Sequence, residues 1–160
     1  MTVHLIIKVG NAIKCTVTVI LSEEKKTDLK RASKGRVKFL PRRTYENYLL
    51  NSDALSALLT RRGVALSREK IEQWITENGG KEEYYKDRKW DKNVSDVIWL
   101  KEVNAANILE RLFSDLTKAK LEYKKIEYGI ELTSWLLEHD TNSIRELIDY
   151  VVELVRPARA

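Results

Sequence analysis

RVKFLPRRTYENYLLNSDALSALL, residues 36–59, is the stretch on which the reading of the fold turns. Val37, Phe39 and Leu40 read as a short strand. Pro41 ends it, because proline cannot donate to a ladder and holds its predecessor extended. Arg42 and Arg43 follow at once, and Tyr45-Glu46-Asn47-Tyr48-Leu49-Leu50 then runs from polar to apolar. Asn51-Ser52-Asp53 offers helix-capping side chains, and Leu55, Leu58 and Leu59 give a helical face. A strand end therefore delivers two arginines and a carboxylate to one rim, a common place for a site in α/β proteins. The competing reading is a strand-to-helix corner whose charges are simply solvated.

Upstream, residues 3–9 (VHLIIKV) read as a strand and Gly10-Asn11 as a turn. Residues 14–21 (KCTVTVIL) alternate and are rich in β-branched side chains, which favours a second strand. Ser22-Glu23-Glu24 suits a helix start, with a capping serine and acids in the first turn. A mostly polar helix then runs over 24–34 and stops at Gly35. Strand, helix and the strand at 37–40 make one βαβ unit with its two strands expected to be parallel. Such a sheet is small, so either the N-terminal strand completes it or another chain covers its edge.

Downstream the pattern is helical. Ile71, Trp74 and Ile75 share a face, and Gly79-Gly80 breaks that helix. Residues 81–92 are charged and aromatic, either an exposed linker or a helix packed through its tyrosines. Val97, Ile98, Trp99 and Leu100 follow. Ile108, Leu109, Leu112, Phe113 and Leu116 form a stripe, as do Ile130, Leu132, Trp135 and Leu136. Ser143-Ile144-Arg145-Glu146 fits a capping box. Ile144, Leu147, Ile148, Val151, Val152 and Val155 then repeat at helical spacing up to Pro157. These stripes read as core, with one of them open to a partner instead.

The chain's 160 residues make one domain, or one with a small appendage. No apolar run is long enough for a transmembrane helix, and residues 1–15 lack the basic n-region and cleavage site of a signal peptide. A cytoplasmic protein is the expectation. Cys15 reads as a buried thiol in a strand. With His4 and His139 as the only histidines there is no zinc-ligand spacing. The net charge of +5 is unevenly spread. Residues 25–43 carry Lys25, Lys26, Lys30, Arg31, Lys34, Arg36, Lys38, Arg42 and Arg43 against Asp28 alone, a net +8 that leaves the remainder at −3. A basic segment on a slightly acidic body is the footprint of a polyanion partner, DNA or RNA. The alternative is a solvated helix face.

The segment Leu40-Pro41-Arg42-Arg43, Glu46-Asn47-Tyr48-Leu49-Leu50 and Asp53-Ala54-Leu55 resembles the L-P-R-R-x-x-E-N-Y-L-L-x-x-D-A-L stretch of TOPRIM-type domains of the OLD (overcoming lysogenization defect) group. The likeness is densest over residues 37–59. It extends loosely to Val17 and to Tyr123-Lys124-Lys125 and Ile130-Glu131-Leu132-Thr133. The resemblance implies an α/β fold with a small, mostly parallel TOPRIM-like sheet, partial in this chain. Residues 1–59 would be its βαβ segment and residues 60–160 its helical C-terminal part. It also implies an ATPase or nuclease partner subunit, in bacterial phage defence or DNA processing.

Nucleases of that group hold Mg²⁺ with an upstream glutamate and a D-x-D pair at a strand end. Here Ser22 and Glu24 stand in the place of D-x-D, and residues 1–10 contain no acid. The resemblance thus implies an eroded metal site. The function expected is a non-catalytic nucleic-acid-binding or regulatory module, contacting phosphates through Lys25, Lys26, Lys30, Arg31, Lys34, Arg36, Arg42 and Arg43. The first alternative is an active Mg²⁺-dependent nuclease, with Glu24 and Glu46 as metal ligands and Glu24 and Lys124 as catalytic groups. Glu46 would otherwise hold Arg42, Arg43 or a backbone amide. The second alternative is a structural subunit that binds protein. No phosphate-binding loop, dinucleotide fingerprint or nucleophile elbow is present.

Overall fold

The computed structural model describes residues 2–9, 12–20, 23–34, 37–86 and 89–155, with backbone alone for residues 2–9, 12–20 and 23. The Gly10-Asn11 turn, Leu21, Ser22, the Gly35 stop, Arg36 and Pro157 lie outside the described residues, as do the side chains of His4 and Cys15. The order is β1 (Thr2–Val9), β2 (Ala12–Ile20), α1 (Glu23–Ala32), β3 (Val37–Phe39), a 3-10 turn (Tyr45–Tyr48), and then six helices. These are α2 (Ser52–Arg61), α3 (Arg68–Asn78), α4 (Val97–Glu102), α5 (Ala105–Thr117), α6 (Lys125–His139) and α7 (Arg145–Val155).

The expected parallel sheet is not what forms. The chain is mostly helical, and its three strands lie in the order β2-β1-β3. Every pairing is antiparallel: Val3 faces Val19 across β1 and β2, and Ile6 faces Lys38 across β1 and β3. Strands β2 and β3 do run in the same direction, as a βαβ connection requires, but they never pair. β1 lies between them. The physical reason is the hairpin: β1 and β2 zip together with Val9 opposite Ala12, which uses one edge of β1 and leaves its other edge for β3.

Among the described side chains the buried core lies in the helical part. Tyr48, Leu49, Leu55 and Leu59 from one side of residue 59 share a single buried cluster with Ile75, Trp99, Phe113 and Leu132 from the other. The helix starts follow their capping residues. Asn51 Oδ1 accepts from Ala54 N at 3.0 Å to open α2, and Ser67 and Asp96 open α3 and α4 in the same way. After α2, Gly63 takes a φ of +82°, a left-handed conformation that costs glycine little. Gly79 ends α3 under a stack of Trp90 on Trp99, whose ring centroids are 4.5 Å apart. A Cβ at Gly79 would lie 2.8 Å from both the Trp99 ring and Ile75 O, so this close approach admits only glycine without a shift.

Two expectations about helix faces change. Ser143 does not cap α7; its hydroxyl donates to Asp140 O at 2.9 Å, and the helix starts at Arg145. Of the α7 stripe, Ile144 and Leu147 are buried, whereas Val151, Val152 and Val155 face solvent. In α6, Leu132 and Leu136 are buried while Ile130 is 63 % exposed. A 3.6-residue repeat marks apolar positions, but only the packing of neighbouring helices decides which of them are covered.

Candidate nucleic-acid interface and the buried polar motif

The two groups of residues singled out by sequence separate in the structure. Arg42, Arg43 and Glu46 turn inward and tie helices together, while the cations of α1 face outward.

Arg42 leaves β3 and runs into the body. Its Nε donates to Glu146 Oε2 at 3.1 Å and its Nη1 to Asn47 O at 2.9 Å, with the guanidinium 4.3 Å from the Tyr48 ring centroid. Its side chain is only 14 % exposed. Arg43 donates from its backbone to Lys101 O at 2.8 Å and from Nη1 to Glu102 O at 3.2 Å. Burial lowers its guanidinium pKa from the ordinary value. Both arginines therefore hold the ends of α4 and α7, for which the guanidinium fork is well shaped.

The next residues continue that work. Tyr45 bonds the Thr133 hydroxyl of α6. Asn47 is fully buried and uses its whole amide: Oδ1 accepts from Thr44 N at 3.0 Å and Thr44 Oγ1 at 2.8 Å, and Nδ2 donates to Leu100 O at 3.0 Å and Val103 O at 2.8 Å. Those two carbonyls lie at the C-terminal end of α4, where the last turn of a helix leaves acceptors unpaired. Glu46 is also fully buried, with Lys125 Nζ 2.6 Å from its Oε1. Burial pushes the Glu46 carboxyl up, but Lys125 and its own backbone N–H pull it down by more. The carboxylate thus stays ionised below the usual range for its type. Asn47 and the Lys125 pairing escaped the sequence reading, which offered Arg42, Arg43 or a backbone amide as the partner of Glu46. The one available signal was an amide and a carboxylate inside an otherwise apolar run.

The candidate catalytic groups are not gathered. Glu24 is exposed on the first turn of α1. Lys124 precedes the first turn of α6, with its Nζ 3.1 Å from Glu127 Oε2. Glu46 is enclosed by the core. Among the described residues no group of three or more His, Cys, Asp or Glu side chains could hold a metal ion.

The outward group is α1. From Glu24 onward none of its side chains is buried. Lys26 and Lys30, one turn apart, hold their ammonium groups 6.0 and 5.7 Å from the centroid of the Phe39 ring on β3. An aromatic face attracts cations, so Phe39 gathers two positive charges that would otherwise repel. Lys25, Arg31 and Lys34 are exposed along the same helix and its end, with Asp28 3.5 Å from Arg31. Lys38, whose neighbours in β3 alternate to the opposite face of the sheet, is bound instead to Glu153 of α7.

A polar cleft of about 430 Å³ lies where α2, α3 and the turn before α7 begin. Arg68, Asp53 and Glu72 line it, and the one guanidinium pairs with both carboxylates, with Nη1 3.1 Å from Asp53 and Nε 2.8 Å from Glu72. No helix among the described residues is long and apolar enough to cross a membrane. Comparison of the chain with models of protein families, with curated proteins and with solved structures found no match in any of the three.

Proposed function

We propose that the chain is a non-catalytic nucleic-acid-binding module that contacts phosphates through α1. The observation that carries this reading is the placement of Lys26 and Lys30 over Phe39, on a helix that buries no side chain from Glu24 onward and has Lys25, Arg31 and, just past its end, Lys34 beside them. A helix that buries so little and concentrates cations is well suited to a polyanion. Arg42 and Arg43 belong to the scaffold in this reading and not to the contact surface. The resemblance of residues 37–59 adds a partner subunit bearing ATPase or nuclease activity. A metal-dependent nuclease would need Glu24, Glu46 and Lys124 together; Glu46 is held by Lys125, Lys124 by Glu127, and Glu24 stands exposed on α1, which weighs against hydrolysis.

The test is fluorescence anisotropy with labelled single- and double-stranded DNA and RNA at stepped salt, alongside cleavage assays with Mg²⁺ or Mn²⁺. Binding should weaken steeply as salt rises. Lys26→Gln/Lys30→Gln should weaken it further and reduce the slope of log K against log salt by about two. Salt-insensitive binding, or none at low salt, would sink the proposal. Metal-dependent cleavage lost in Glu24→Ala would replace it with the nuclease reading.

A further inference from the structure

Helix α1 has two unlike sides. At 3.6 residues per turn, Glu24, Asp28 and Arg31 share one line along it. That line points away from the sheet: Glu24 is exposed, and the side chains of Asp28 and Arg31 are 63 % and 78 % exposed. Lys26 and Leu29 are half-buried and mark the opposite side, where Lys26 and Lys30 lie over Phe39. Phe39 belongs to β3, an outer strand of the sheet, so a seam between α1 and β3 runs along that margin. We infer, resting on the function proposed above, that nucleic acid lies in this seam and is held by the phosphates of one strand, with its bases unread.

Charge and residue type favour the seam over the outer line. A helix that reads bases enters a groove outermost residues first, between two walls of phosphates. Here it would lead with the carboxylates of Glu24 and Asp28. Its one arginine, Arg31, is held 3.5 Å from Asp28. The helix carries neither asparagine nor glutamine, the residues that pair with adenine. The seam presents two ammonium groups instead, compact point charges without the planar fork that identifies guanine. Both gather over a single ring, so they meet one strand and do not straddle a major groove about 12 Å wide. Contacts of this kind fix position and carry no sequence information.

Glu23 stands three residues before Lys26 and seven before Lys30, which places it on their side of the helix and allows a test at equal charge. Anisotropy of the full chain at low salt would compare Glu23→Gln with Asp28→Asn, after circular dichroism has shown both folded. The ligands are duplexes of unrelated sequence and a single-stranded oligonucleotide, with inorganic polyphosphate as competitor. Glu23→Gln should tighten binding by about twofold and Asp28→Asn by less, because only the first removes a charge beside the seam. The duplexes should agree within about threefold, where a sequence reader separates them by about a thousandfold or more. The single strand should bind as well, and polyphosphate, which has no bases, should displace the DNA. Equal or greater tightening by Asp28→Asn overturns the inference and leaves nucleic-acid binding standing. So does a strong sequence preference, a requirement for duplex, or failure of polyphosphate to compete. No binding to any nucleic acid sinks the proposed function, and the inference with it.

Discussion

Lys125 Nζ lies 2.6 Å from Oε1 of Glu46, a carboxylate with no exposure to solvent. The lysine stem comes from the first turn of α6 and its side chain is 57 % exposed, so a surface residue supplies the charge that an interior one requires. Buried carboxylates are tolerated when paired in this way, and breaking such a pair costs more than the pair contributes.

Stability should therefore depend on pH through Glu46. Its folded pKa is depressed, so its stabilising contribution is present above the ordinary carboxylate range and is lost as pH falls through the folded value. Lys125→Met removes the compensating cation and leaves burial dominant, which reverses the direction of the shift. That variant should lose about 1–3 kcal/mol near neutral pH, the lower end reflecting the solvent around the lysine. It should also be relatively more stable at acid pH than at neutral pH. Adding Glu46→Gln should recover part of the loss. Urea denaturation of the wild type and the two variants from acid to neutral pH measures all of this. Equal losses in Lys125→Met at every pH would show that the pair matters only through packing.

Asn47→Ala should be among the most destabilising single changes, at about 2–4 kcal/mol. It removes four hydrogen bonds and strands the buried carbonyl of Val103 and the half-buried one of Leu100. Asn47→Asp keeps the acceptor for Thr44 but turns a carboxylate towards those carbonyls, so it should be no milder. Denaturant midpoints with unchanged m-values are the measurement.

Arg42→Ala should lower stability by about 1–3 kcal/mol while leaving the salt dependence of nucleic-acid binding unchanged, because its guanidinium is consumed by Glu146, Asn47 and Tyr48. Lys26→Gln/Lys30→Gln should do the reverse, with little effect on unfolding. Measured together, the two variants separate scaffold from contact surface. A reduced salt slope in Arg42→Ala would return that arginine to the interface.

Gly79→Ala should cost about 1–3 kcal/mol through overpacking, since the added methyl meets the Trp99 ring and Ile75 O at once. The Trp90–Trp99 stack should be disturbed, visible as a changed tryptophan emission spectrum and near-ultraviolet dichroism. An unchanged spectrum would mean that the backbone, and not the stack, absorbs the methyl.

Much of the helical framework was legible. The faces Ile71, Trp74, Ile75 and Ile108, Leu109, Leu112, Phe113 are buried as the 3.6-residue repeat indicates, and Asn51 caps α2 from the position its residue type suggests. Strand positions were legible from β-branched alternation, but their pairing was not. Alternation describes one strand, whereas pairing depends on which edge of β1 the hairpin leaves unused. Ile130 was misassigned to the core because its neighbours Leu132 and Leu136 belong there, and a helix with two apolar sides gives a repeat that is hard to resolve into two.

The candidate site was legible as chemistry and misleading as geometry. Arg42, Arg43 and Glu46 carry the residue types of a phosphate or metal site, yet their partners lie far along the chain: Arg42 reaches Glu146, 104 residues on. Residue type and local spacing determine helices, caps, the basic character of α1 and the absence of recognisable catalytic motifs, because these depend on neighbours within a few positions. Only the tertiary structure decides that the arginines, Glu46 and Asn47 turn inward while α1 and Ile130 remain outside. An ion pair or a buried face exists only once distant helices dock, and the free energy of that docking is written across the whole core.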